Sequence, residues 1–336
     1  MLSPEAKLNP HIFDADVEQK PIRDGYGEGL VAAAKVNPKV VALCADLLES
    51  TRTEEFAKKY PQRFFEVGVA EQNMATIAAG LAVSGKIPFI ASYATFSPGR
   101  NWEQIRTTIA YNKANVKIAG HHAGVSVGPD GATHQATEDI AIMRVMPNMK
   151  VLVPCDSIEA KKATLSAAHV WGPVYIRLQR ESVPVITTEE TPFLPGKAQF
   201  FWEPSIVGKK PDVLIIGCGA ILYNALCAAR ELEEKEKIGT VVLNCHTIKP
   251  LDEKKIVELV KKIGAVVVVE EHQIAGGLGG AVAEVLAKHC PVPIEFIGMS
   301  DMFGESGKPL ELLKKYNMDT KGIKSAVKKV LHRKKL

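Results

Sequence analysis

At 336 residues, 46% apolar and 24% charged, the chain is long enough for about two domains and too apolar to be disordered. Its net charge of 42 − 38 = +4 is too small to imply a nucleic-acid or membrane surface. Six scattered cysteines form no C-x-x-C pair and have no histidine at metal spacing, so they read as buried thiols of a cytoplasmic protein without structural zinc.

Residues 1–21 read as an N-terminal extension, with no basic start leading into an apolar stretch as a signal peptide requires. Residues 22–186 alternate short apolar runs with helical patterns. Strands are expected in VVALCAD (40–46), IPFIASY (87–93), VKIAGH (116–121), MKVLVPCD (149–156) and PVYIRLQR (173–180). Helices are expected in ATIAAGLAVSG, WEQIRTTIAYNKAN, TEDIAIMRVMPN and SIEAKKATLSAAHVWG. A helix after each strand indicates a parallel sheet covered on both faces, hence an α/β/α domain.

Residues 187–211 hold four prolines and no clear periodicity and read as a linker, although Phe200, Phe201 and Trp202 suggest that it packs on something. Residues 212–336 repeat the alternation as a second α/β/α domain, with strands in DVLIIGCG, GTVVLNCH, AVVVVEEH and PIEFIGM. No apolar run approaches the roughly 18 residues of a membrane span. The final stretch, 321–336, carries seven lysines or arginines and no acid. With Ile323, Val327, Val330 and Leu331 at helical spacing, it reads as a surface helix with a solvated basic face.

In an open parallel sheet, ligands gather beyond the carboxyl ends of the strands. In the first domain those ends carry Asp46, Tyr93, His121, His122, Arg177 and Arg180, with Ser50 and Phe96 a few residues further on. Glu71 heads a helix after the short FFEV run, and the loop GPDGATHQ adds Asp130 and His134. So many acids, histidines, arginines and aromatics along one edge point to a site. The second domain offers glycines instead. GCGAIL has Leu222 where a dinucleotide fingerprint has its third glycine, and AGGLGG lacks the lysine of a P-loop. Close packing of a strand-to-helix turn accounts for the latter, and the domain reads as structural.

EVGVAEQNMATIAAGLA, GVSVGPDGATHQATEDIAIMRVMPNMKVLVPCD and IRLQRESVP together resemble the pyrimidine-binding domain of the transketolase family. NCHTIKPLD and VVVVEEHQIAGGLGG resemble the C-terminal domain of the same superfamily. The family binds the cofactor's diphosphate and Mg²⁺ through a G-D-G…N motif in a preceding domain, and no G-D-G occurs here. The resemblance therefore implies the C-terminal subunit of a split transketolase whose companion is a separate chain. Such a subunit moves a two-carbon ketol unit between sugar phosphates with thiamine diphosphate and Mg²⁺, the metal held mainly by the companion.

By that resemblance Glu71 hydrogen-bonds the aminopyrimidine ring nitrogen, Phe96 stacks on the ring with Tyr93 close by, and Asp46 is an acid near the cofactor. Burial is expected to outweigh the helix end and keep the Glu71 carboxyl protonated. Read without the family, Glu71 could serve only the helix dipole, both rings could be core, and Asp46 could cap a helix near Ser50. A third aromatic of some transketolases is replaced by Gly99. His122, Asp130 and His134 match residues that contact sugar hydroxyls, where proton transfer suits a histidine titrating near neutrality. Arg23, Ser50 and Arg180 match the phosphate set, two guanidinium forks and a hydroxyl donor. His121 reads as structural, and Arg177 could equally serve a surface salt bridge.

Two alternatives remain at this point. One is the beta subunit of a 2-oxoacid dehydrogenase E1, which the phosphate set and the DGATHQ loop disfavour. The other is a partner-binding paralogue without catalysis, which Glu71 and the histidines disfavour. The resemblance further implies a homodimer recruiting two companion chains into α₂β₂, with an apolar patch around Tyr93 and Phe96 exposed on the isolated subunit.

Overall fold

The computed structural model describes residues 1–205 and 210–335. Residues 206–209 of the expected linker and residue 336 of the expected second domain lie outside the described residues. The first half opens with β1 (Gln19–Pro21), α1 (Ile22–Val36), β2 (Val40–Cys44), α2 (Glu54–Lys59) and β3 (Phe64–Glu66). It continues through α3 (Glu71–Val83), β4 (Ile87–Tyr93), α4 (Trp102–Gln104, running on as a π turn over Ile105–Ala110) and β5 (Lys117–His121). α5 (Asp139–Arg144), β6 (Lys150–Leu152), α6 (Ser157–His169), β7 (Val174–Arg177) and β8 (Ser182–Pro184) close it.

The second half contains β9 (Gln199–Trp202), β10 (Val213–Gly217), α7 (Leu222–Glu236), β11 (Thr240–Asn244) and β12 (Thr247–Lys249). α8 (Glu253–Ile263), β13 (Val266–Gln273), α9 (Leu278–His289), β14 (Ile294–Met299), α10 (Pro309–Lys315) and α11 (Thr320–Lys334) follow. One sheet runs β12-β6-β7-β5-β4-β2-β3, parallel except for β12; the other runs β14-β13-β10-β11-β9, parallel except for β9. Every residue of β2, β7, β10 and β11 is buried. Their Val-, Ile- and Leu-rich runs are what strands covered by helices on both faces require.

Four features depart from the sequence reading. The stretch read as a linker supplies β9, which pairs antiparallel with β11 and buries Phe201 and Trp202 in the second core. Leu8 and Ile12 of the N-terminal extension enter that same core. β12, from NCHTIKPLD in the second half, crosses to pair with β6 and covers what would otherwise be an open sheet edge. Finally, α1 forms from IRDGYGEGL despite its glycines. A Cβ on Gly25 would stand 1.8 Å from the Ser157 carbonyl oxygen of α6, so close helix–helix packing outweighs poor helix propensity.

Local devices fix the helix ends. Asp156 accepts from Glu159 N at 2.8 Å to cap α6 and also accepts from Ile186 N, tying down the chain after β8. In AGGLGG, Leu278 N and Gly279 N at the start of α9 donate to the buried Glu270 carboxylate at 2.8 and 2.7 Å. The basic face of α11 is largely paired within the chain, as Lys324 meets Glu231, Lys328 meets Glu236, and Arg333 meets Glu295. All six cysteines are free thiols. No helix among the described residues is long and apolar enough to cross a membrane.

Candidate active site

Because β2, β3, β4, β5 and β7 run parallel, their carboxyl ends emerge at one edge. The loop after β3 delivers Glu71 to the first turn of α3, where the residue is only 2% exposed. Its main-chain oxygen accepts from Asn101 Nδ2 at 3.0 Å. Its carboxylate Oε2 accepts from Arg100 Nη1 at 2.8 Å. The expectation for this carboxyl weighed burial against the helix end and contained no arginine.

β4 ends at Tyr93, and the turn behind it carries Phe96; the two rings stack 5.9 Å apart. Tyr93 also stacks on His122 at 3.8 Å, while His134 meets the Phe96 ring edge-on at 5.5 Å. The Arg100 guanidinium lies 4.6 Å from the Phe96 ring centre. Tyr93 and Phe96 are thus half-buried by their neighbours. Large exposed apolar side chains include Val69, two residues before Glu71, and Val83, Tyr111, Val145, Phe303 and Leu310. At Gly99 a Cβ would stand 2.0 Å from the Thr95 carbonyl oxygen, so this turn has no room for the third aromatic.

His122 follows β5 with φ of +54°, a left-handed conformation unusual for a residue with a Cβ. It is buried, and its Nε2 lies 3.4 Å from Arg23 Nη1. Burial first, then Arg23 and Arg180, push its pKa down to about 3. This corrects the expectation of a histidine titrating near neutrality. At neutral pH His122 is a neutral imidazole. His134 is half-buried, with Nδ1 2.9 Å from Thr133 Oγ1.

Arg23, in the first turn of α1, donates through Nη1 to the Ser50 carbonyl at 3.0 Å. Ser50 thus contributes a main-chain acceptor to this cluster. Burial and then the neighbouring Arg52 work against the charge on Arg23. Arg180, beyond β7, donates to Val127 O at 3.0 Å and stands 3.6 Å from Asp130 Oδ1. Two buried polar atoms here lack hydrogen-bond partners, Arg23 Nε and His122 Nδ1. Orphaned groups of this kind are costly unless something binds them.

The structure thus brings Glu71, Tyr93, Phe96, His122, His134 and Arg23 into linked contacts, with Arg180 and Asp130 paired alongside. Asp46 follows β2. It is exposed, its φ is +59°, and its N–H donates to Glu66 Oε1 at 2.8 Å; the next helix begins only at Glu54, so Asp46 caps none. His121 is fully buried against Tyr26, their rings 4.8 Å apart. Arg177 is no surface group. It is buried, pairs with Asp139 at 2.9 Å, and donates to Glu271 O at 2.7 Å across the two halves. Sequence reasoning missed Arg100 and Asn101, which sit in a turn with no periodicity or motif to mark them.

A flat heteroaromatic ring with a basic ring nitrogen fits this donor set, which offers two aromatic faces beside a buried carboxyl. Among the described residues no group of three or more His, Cys, Asp or Glu converges as a metal site. A cleft of about 660 Å³ between the two halves, lined in part by Ser126, Gln179, Asn224 and Glu271, contains none of the expected site residues.

Comparison with known proteins bears on this site. The family model for the transketolase pyrimidine-binding domain matches residues 18–185, and that for the transketolase C-terminal domain matches residues 204–323. A putative transketolase C-terminal section from Methanocaldococcus jannaschii is 46% identical over 90% of this chain and 94% of its own length. The 6-deoxy-6-sulfo-D-fructose transketolase subunit SqwH of a Clostridium species is 39% identical over 96% of this chain and 98% of its own. A solved split-gene transketolase, described as an inactive beta4 tetramer, superposes with a TM-score of 0.85 at 45% identity, covering 94% of this chain and 99% of that one.

Proposed function

The chain belongs to the transketolase family as a C-terminal subunit of the split type, and from that premise we propose how its residues share the work. It is a transferase subunit, and its family works with thiamine diphosphate. The relatives carry transketolase names, which favours neither the dehydrogenase subunit nor the non-catalytic paralogue. In our reading residues 22–186 form the pyrimidine-binding domain and residues 212–336 the C-terminal domain. Residues 1–21 and 187–211 serve as extension and linker.

Thiamine diphosphate, when bound, supplies an electron sink at its thiazolium C2. Glu71 would hold the aminopyrimidine ring nitrogen through its carboxyl, and Phe96 would lie against the ring with Tyr93 behind it. Asp46, exposed just beyond β2, would be an acid near the cofactor. His122 and His134 would position the sugar hydroxyls, with Asp130 accepting from them. His122, kept neutral by its surroundings, orients and accepts; His134, less buried, is the better placed of the two to move a proton. Arg23 and Arg180 would take the anionic end of the sugar, Arg23 offering its unpartnered Nε. Ser50 fixes Arg23 through its carbonyl.

We assign the substrates as sugar phosphates. One relative is named for a sulfo-sugar, and a sulfonate needs the same cations. The Mg²⁺ and diphosphate we assign to an N-terminal companion, in keeping with relatives that are a C-terminal section and a split-gene chain. The working assembly is then a homodimer of this chain with two companions, α₂β₂, acting in the cytoplasm. The related split-gene protein, described as an inactive beta4 tetramer, is in keeping with a subunit that cannot work alone.

The observation that carries this reading is a buried carboxyl at a helix start beside two stacked aromatic rings. Hydrogen–deuterium exchange at C2 of thiamine diphosphate bound to the assembled enzyme tests it. Glu71→Gln should slow exchange by about two to four orders of magnitude, the range for loss of a general acid–base group, without loss of folding. An unchanged rate removes Glu71 from this role.

A further inference from the structure

We propose that Arg100 is a displaceable occupant of the aminopyrimidine site, holding Glu71 and Phe96 until a ligand ring takes its place. The proposal rests on the reading of Glu71 and Phe96 given above. Arg100 Nη1 donates to Glu71 Oε2 at 2.8 Å, and the guanidinium carbon lies 4.6 Å from the Phe96 ring centre. A guanidinium is flat, hydrogen-bonds through its edge and stacks through its face. An aminopyrimidine uses its edge and face in the same way. One side chain therefore makes both contacts the ring would need, on the same two residues, and the two cannot make them together.

The pair is unequal in burial, which decides which partner moves. The Glu71 side chain is 1% exposed and that of Arg100 48% exposed. Glu71 is further fixed by Asn101, whose Nδ2 donates to the Glu71 main-chain oxygen at 3.0 Å and lies 3.1 Å from Ser97 Oγ. The carboxyl and the turn stay put, while the arginine has solvent to swing into. In the ligand-free chain this pairing spares Glu71 the cost of a buried, unpaired carboxylate. The same pairing must be broken when a ligand binds, so Arg100 lowers affinity for the cofactor.

Calorimetric titration of thiamine diphosphate into the assembled enzyme, this chain with its companion and Mg²⁺, tests the proposal. Arg100→Met should bind about three- to tenfold more tightly than wild type, the range for a half-exposed ion pair plus a cation–π contact. Arg100→Lys keeps the cation but loses the flat stacking face, and should fall between the two. It also reports if Arg100→Met fails to assemble. Unchanged or weaker binding by the arginine variants, with Glu71→Gln impaired in C2 exchange, overturns the proposal and leaves the site assignment standing. Wild-type C2 exchange in Glu71→Gln instead overturns the site assignment on which the proposal depends.

Discussion

Two clusters of buried charge lie on the same sheet and are built differently. At the junction of the two halves, Arg177 Nε donates to both oxygens of Asp139, and its Nη2 donates to Glu271 O at 2.7 Å. Tyr175 OH donates to Asp139 at 2.7 Å, and Glu271 accepts from Ser126 N at 2.6 Å and from Gln179. Along the carboxyl edge, by contrast, Arg23 Nε and His122 Nδ1 have no partner, and the buried Glu71 is met by a half-exposed arginine. A buried charge that exists for the fold is enclosed by fixed partners, as at the junction. A buried charge with unused hydrogen-bonding capacity is waiting for one. The junction charges are thus met by fixed partners, whereas the edge keeps unpartnered polar atoms, in keeping with the site proposed there.

The contrast is sharpest where a charge is removed. Asp139→Ala should destabilise the chain by about 3–5 kcal/mol, because it strands Arg177 in a buried position. Asp139→Asn, which keeps an acceptor for Tyr175, should cost less. Urea denaturation of the purified chain measures both, and a cost below about 1 kcal/mol for the alanine would place the pair with ordinary surface bridges.

Removing an edge charge should act on substrate instead. Arg180→Ala is expected to raise KM for anion-tailed sugars about ten- to a hundredfold, the usual loss for a charge-assisted hydrogen bond, while unphosphorylated analogues change little. Equal losses for both substrates would mean that Arg180 supports structure, as Arg177 does.

A third effect appears with pH. His122 titrates near 3 when folded and near its ordinary 6.5 when unfolded. As pH falls from 6.5 toward 3 the unfolded chain takes up a proton that the native chain refuses. The native state therefore loses about 1.4 kcal/mol per pH unit on this account, and nothing above that window. His122→Asn should flatten the fall in stability with acid by up to one proton's worth. An unaltered slope would show that burial does not hold this imidazole neutral.

How much of this was legible beforehand depended on the kind of signal. Runs such as VLIIG and IPFIASY announce buried strands through β-branched and apolar density alone, and each lies where it was read. Glu71, Asp130 and His134 were found because short motifs surround them. α1 was not read as a helix, since its glycines lower local propensity and their reason, the Ser157 carbonyl of α6, lies some 130 residues away. β12 escaped because its pairing with β6 joins Thr247 to Leu152, a contact that no local pattern encodes. Arg100 escaped for the same reason. Its partner on α3 is 29 residues distant, and a lone arginine in a turn has no periodicity.

Together the edge residues account for a ring, a carboxyl and an anion-binding fork, but not for a diphosphate and its metal. In the proposed reading this chain holds half of an active site. Ketol transfer is assayed with the purified chain alone, and again with the companion subunit added in equal amount. With thiamine diphosphate and Mg²⁺ in excess, no turnover is expected from the chain alone and full turnover on mixing. Full turnover by the chain alone would rule this reading out.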